Sequence, residues 1–200
     1  MKESLYWRYV KYFLTIFVII LIPVYVPYYG WQNFLWLSDI GLFLTLAALW
    51  LHSSLLMSMA AVGVLFTELV WCVDYFVELF SGYNLIDLSD YMFDSGYPMA
   101  LRAISLFHVF VPIIWIWYLV KYGYDRRALL HMTCLYWLVL VTTYLFTEPA
   151  ANINWVFLPQ ANPCIKFSPL GWVSFLFVAF PLFIFLPSHI ICKKLFKKTL

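Results

Sequence analysis

Charge is scarce in this chain: Asp, Glu, Lys and Arg together make up only 11% of its 200 residues. Soluble domains carry about a quarter of their residues charged, so the shortage excludes an ordinary water-soluble fold. No nucleic-acid motif accompanies the basic residues that are present, which sets aside a nucleic-acid partner. Cysteine is sparse as well, with four residues, Cys72, Cys134, Cys164 and Cys192, and no CxxC pair. That pattern supports neither a disulfide framework nor a structural zinc site. Missing too are GxSxG, HExxH and HxxxH, so no local motif selects a reaction.

What is abundant is apolar surface, with 65% hydrophobic and 22% aromatic residues. A hydrocarbon core about 30 Å thick needs roughly 20 apolar residues per helical crossing, and only helices or closed barrels satisfy the backbone there. The apolar runs far exceed the roughly 10-residue alternating segments of an outer-membrane barrel. The sequence therefore predicts an all-α polytopic membrane helix bundle, one integral domain over residues 1–200. Its six transmembrane helices are expected at about 12–29, 34–51, 55–80, 98–120, 128–147 and 169–186. Pro98 suits a first helical turn, Pro149 and Pro187 fall just past runs, and Pro23, Pro112 and Pro181 are expected to kink spans.

Orientation follows from the basic residues. Lys2, Arg8, Lys11, Lys121, Arg126, Arg127, Lys193, Lys194, Lys197 and Lys198 fall on one side of such a bundle, leaving Arg102 and Lys166 opposite. The asymmetry predicts both termini in the cytoplasm, here of a bacterial inner membrane. The first run is read as a retained signal anchor, because VPYYGW and not a small-residue cleavage site follows it. The tail ICKKLFKKTL is expected to rest on anionic headgroups, and membrane lipid is the expected partner.

The polar residues inside the spans carry the functional question. His108 lies in SLFHVFVPIIWIWYL, and an ionisable group in such a run is by default a functional-site hypothesis. Counting from the basic end at about 1.5 Å per residue places His108, Asp39, Glu68 and Thr142 in one layer at roughly 20 Å. A polar group there is costly unless it faces a partner, so His108 is expected to bond Asp39 or Glu68. Glu68, Trp71, Cys72 and Tyr75 follow i, i+3, i+4, i+7 and share a face, as do Ser105 and His108. These residues, with Asn33, Ser38, Thr142 and Asn154, outline an outer-leaflet chamber with His108, Asp39 and Glu68 as catalytic candidates. Ser38, Ser105, Tyr75, Thr142 and Asn154 are the substrate-binding candidates. A histidine oriented by a carboxylate suits a general base. The nucleophile stays open among Ser38, Ser105, Cys72, Thr142, Thr143 and an activated water.

Other residues suggest less. His52, His131 and His189 belong near the cytoplasmic boundary, and neither a metal nor another cofactor is expected. Asp87, Asp90 and Asp94 at i, i+3, i+7 in SGYNLIDLSDYMFDSGY predict a short interfacial helix. The loop EPAANINWVFLPQANPCIKFS, with Asn152, Asn154, Trp155, Phe157 and Gln160, is expected to fold back over the chamber as a lid.

WLSDIGLF, SLFHVFVP, KYGYDRRAL and NINWVF, taken in order, resemble an uncharacterised family of bacterial six-helix membrane-associated proteins. NINWVFLPQANP followed by LGWVSFL is more distantly similar to YwaF-like integral membrane proteins. FLWLSDIGLF with HVFVP resembles the second and fourth helices of the androgen-induced-gene hydrolases of fatty acid esters. That last resemblance implies a catalytic role for His108. The hydrolases' nucleophilic threonine has no counterpart, since Trp36, Ser38 and Asp39 occupy the corresponding region. The YwaF-like acyltransferases' cysteine beside the histidine is likewise absent. Three expectations follow: a lipid-ester hydrolase or acyltransferase, a small permease or proton-coupled carrier, or a non-catalytic subunit whose polar layer fixes packing.

Overall fold

The computed structural model describes residues 5–157 and 168–197, and every regular element among them is helical. In chain order these are α1 (Leu5–Tyr29), a 3-10 turn (Trp31–Leu35), α2 (Leu37–Leu51), α3 (Ser54–Ser81), α4 (Met99–Ser105), α5 (Phe107–Tyr122) and α6 (Ala128–Phe146). They continue as α7 (Pro169–Phe180), a π-helical turn (Pro181–Phe185) and α8 (Leu186–Leu195). Five stretches are long and apolar enough to cross a membrane: α1, α3, α4 with α5, α6, and α7 through α8. The protein is a multi-pass membrane helical bundle by length and composition of its helices. The expectations on Lys2, Gln160, Cys164, Lys166 and Lys198 lie outside the described residues.

The bundle is organised around α3, which packs against α2, α5, α6 and α8. Its centre explains why: Ala60, Ala61 and Gly63 are all small, and helices approach closely over small side chains. Met132 of α6 fills the space over Gly63, and Trp115 of α5 fills that over Gly41 of α2. On α1, Leu14, Val18, Leu21 and Tyr25 form a buried stripe at helical spacing. His52, at φ 50°, and Ser53, whose hydroxyl accepts from Leu56 N, make the tight turn between α2 and α3.

The structure departs from the expected spans in four places. The run 34–51 is not one helix: α2 has 15 residues and reaches about 22 Å, short of a full crossing. The cause is a break at Leu35–Leu37, where Asn154 takes over the backbone bonding. The span 98–120 divides at Leu106, where Leu106 N bonds Ala103 O and Val109 N bonds Leu106 O, one tightened turn. Pro187 does not end the last run: the helical stretch continues from α7 through the π-helical turn into α8, and Pro187 lies inside it. The acidic 82–98 segment forms no interfacial helix beyond the short turn Asp90–Met92, since Asp87 has φ 61° and the α3 residue Asp74 binds the loop backbone.

Candidate functional site

Two clamps shape one end of the bundle. The Asp74 carboxylate, fully buried, accepts from Ile86 N, Leu88 N, Ser89 N and the Ser89 hydroxyl, each at 2.9 Å. Those bonds pin the 82–98 segment so that Leu88 and Tyr91 face the bundle interior. The Asn154 side chain accepts from Leu37 N at 3.0 Å and donates to Leu35 O at 2.7 Å. A primary amide thus replaces the helical bonding missing between the 3-10 turn and α2. To reach that position the chain places Asn152, Asn154 and Trp155 at positive φ. Asparagine tolerates this conformation, whereas at Trp155 it is strained.

Between the clamps lies a cavity of about 570 Å³, within the range of small-molecule sites. His108 stands in its wall with Nδ1 2.7 Å from Glu68 Oε2. Trp71 stacks on the imidazole at 4.5 Å and 24°, and the Cys72 thiol donates to the His108 carbonyl at 3.3 Å. One face of α3 therefore holds the histidine by a carboxyl hydrogen bond, a ring stack and a backbone contact. Glu68 occupies Nδ1, which leaves Nε2 as the ring nitrogen available to a ligand.

The residues singled out from the sequence separate here. His108, Asp39, Glu68, Ser38, Ser105 and Asn154 line the cavity. Tyr75 does not: it packs behind the wall on Trp71 and Phe93. Thr142 does not either, because its hydroxyl turns back to Leu138 O on its own helix. Glu68, not Asp39, is the hydrogen-bond partner of His108. Ser105 and His108 diverge across the turn at Leu106. Ser105 pairs with the Tyr25 hydroxyl at 2.7 Å and donates to Leu101 O, whereas His108 reaches α3. The 147–157 segment contributes Ala151, Ile153, Asn154 and Trp155 as a wall of the cavity.

Tyr25, Tyr29 and Tyr91 escaped the sequence reading. Tyr25 was findable, as the last member of the buried stripe on α1, while Tyr91 sits in a loop that only Asp74 positions. Burial pushes the Tyr91 phenol above its ordinary range, so it stays a neutral hydroxyl. Among the described residues no group of three or more His, Cys, Asp or Glu side chains is placed to hold a metal. Two of the other three histidines have local partners: His189 Nδ1 lies 2.7 Å from the Tyr124 hydroxyl, and His131 Nδ1 lies 2.9 Å from Arg127 O.

No family model, curated protein or solved structure matches this chain. Functional argument therefore starts from the geometry just described.

Below the cavity the described residues pack closely. Its lining stops at Phe66 on α3 and at His108 on α5. One to three turns beyond, Leu42, Met57, Trp115 and Leu119 are buried, and Trp115 Nε1 donates to Thr45 Oγ1 at 2.6 Å. Phe66, half exposed on the outer surface of α3, also lines the cavity, so the wall reaches the lipid-facing side there.

Proposed function

We propose that this protein processes an acyl group or lipid ester that reaches the cavity sideways, from the hydrocarbon past Phe66. The observation that carries the reading is the His108–Glu68 pair at 2.7 Å, opening on a cavity whose remaining wall is largely aromatic and apolar. Glu68 orients the imidazole through Nδ1 and leaves Nε2 facing the cavity, the arrangement a general base needs. His108 Nε2 takes a proton from water, the resulting oxygen attacks the ester carbonyl, and His108 returns the proton to the departing alcohol oxygen.

Water is the nucleophile in this scheme; Ser38, which lines the cavity, is the side-chain alternative, while two other candidates are engaged elsewhere. Ser105 is bonded to Tyr25 and Leu101, and the Cys72 thiol points to a carbonyl. The resemblance to hydrolases of fatty acid esters points to the same chemistry. A carrier would need a polar path onward, and the buried layer around Trp115 argues against one. The charge asymmetry supports cytoplasmic termini with the cavity in the outer leaflet, and the resemblance to bacterial membrane-associated proteins supports a bacterial inner membrane.

The test is lipid mass spectrometry on purified wild type and His108→Ala, each incubated with total membrane lipid. Conversion by wild type alone supports the reading and names the substrate class. If both proteins are folded and inert, His108 and Glu68 serve packing or partner binding instead.

A further inference from the structure

Within the cavity Asp39 is used by nothing described above. It is 2% exposed; its Oδ2 takes one long bond from Asn33 Nδ2 at 3.4 Å, and its Oδ1 has no hydrogen-bond partner. A buried carboxylate with an unmet oxygen is costly until a donor or cation meets it. It lines the same space as His108, so that donor can be a ligand.

The surrounding wall indicates which kind. Tyr25, Tyr29, Tyr91, Trp36, Trp71 and Trp155 all line the cavity. Tyr25 meets Tyr29 at 88° and Trp36 meets Trp155 at 75°, so neighbouring rings turn their faces in different directions. Aromatic faces carry negative charge density, and several rings around one space attract alkylammonium groups, which present both charge and apolar methyls. Charge in the wall agrees. Asp39 and Glu68 lie inside and exposed Asp87 at the rim, and among the described residues no lysine or arginine lines the cavity. Such a wall draws cations and repels phosphate, sulfate and carboxylate.

We propose that the cavity binds an amphiphile headed by an unphosphorylated ammonium group, with Asp39 as its counter-ion, aromatic rings around the head and the chain leaving past Phe66. This deepens the acyl-processing reading by naming the head group, and rests on it only for the chemistry done to the chain. Among the described residues a phosphate beside the ammonium would find no cation in the wall to meet it.

The experiment uses full-length protein in an uncharged maltoside detergent, titrated with decyltrimethylammonium, decylphosphocholine and decyl sulfate. Tryptophan fluorescence and calorimetry follow binding, since Trp36, Trp71 and Trp155 line the cavity. Wild type should bind decyltrimethylammonium saturably and about tenfold more tightly than the other two, and Asp39→Asn should lose about that factor. Equal affinity for the three amphiphiles overturns the proposal, and so does undiminished ammonium binding in folded Asp39→Asn. Should that variant not fold, the wild-type series decides alone. Because binding is read without turnover, ammonium selectivity in a protein that converts no lipid would keep this inference and remove the hydrolytic one.

Discussion

The two ends of the bundle are built on different principles. At the closed end, helix fills helix: Met132 covers Gly63, Trp115 covers Gly41, and Thr45 Oγ1 both accepts from Trp115 and donates to Gly41 O on its own helix. At the open end, helices break at Leu35–Leu37 and Leu106, and side chains bond backbone far away in sequence, Asn154 to Leu35 and Leu37, Asp74 to the 86–89 segment. Close packing leaves little room for a ligand. A cavity needs walls that helix contacts do not supply, and buried polar side chains hold them by satisfying backbone groups that would otherwise be orphaned.

The comparison is broken most directly by removing the charge beside His108. Glu68→Gln keeps the shape and one hydrogen-bonding oxygen but loses the carboxylate. Lipid conversion should fall by about a hundredfold or more, the usual scale of an impaired general base. An equal loss in Trp115→Phe, at the closed end, would show that the ends are not functionally distinct. The measurement is initial rate by mass spectrometry, with the melting temperature of each variant alongside.

Stability should separate the ends next. Asn154→Ala leaves Leu37 N and Leu35 O without their partner, two backbone groups at about 1–3 kcal/mol each, so a loss of about 3 kcal/mol is expected. It should also loosen the cavity wall, read as faster proteolysis of the 147–157 segment. Gly63→Val puts a branched side chain where even a Cβ would lie 2.8 Å from Met132 Cγ. Overpacking of that kind costs about 2 kcal/mol. It should lower the melting temperature and leave protease sensitivity at the open end unchanged. Denaturation in mixed micelles measures both.

Much of this architecture was legible in the sequence, and the limits have a physical origin. Run length and hydropathy predict helices because lipid forces the backbone to satisfy itself, and most of the expected spans coincide with a helix or a pair of helices. The same reasoning overlooked the break before α2, because the amide that closes it comes from Asn154, more than a hundred residues away. Glu68, Trp71 and Cys72 share a face through spacing alone, and all three contact His108. Ser105 and His108 were read as sharing a face for the same reason, but a tightened turn at Leu106 sends them to different helices. Tyr91 had no periodic signal, since Asp74 places its loop through backbone bonds that any sequence could make.

The smallest expected effect concerns Thr142, whose direction around α6 was not legible in the sequence. Its hydroxyl is taken up by Leu138 O at 2.8 Å and it does not line the cavity. A hydroxyl bonded within its own helix contributes little to packing between helices. Thr142→Val, nearly equal in shape, should therefore change stability by about 0.5 kcal/mol or less. Conversion and ammonium binding should stay at wild-type levels. A clear loss of either would mean that the polar layer extends across α6, and the boundary between a working cavity and a packed exterior would have to be redrawn beyond Thr142. The neighbouring Thr143 gives the control: it is fully buried with an unpartnered hydroxyl, so Thr143→Val should not destabilise the bundle, because it removes a buried polar atom that nothing satisfies.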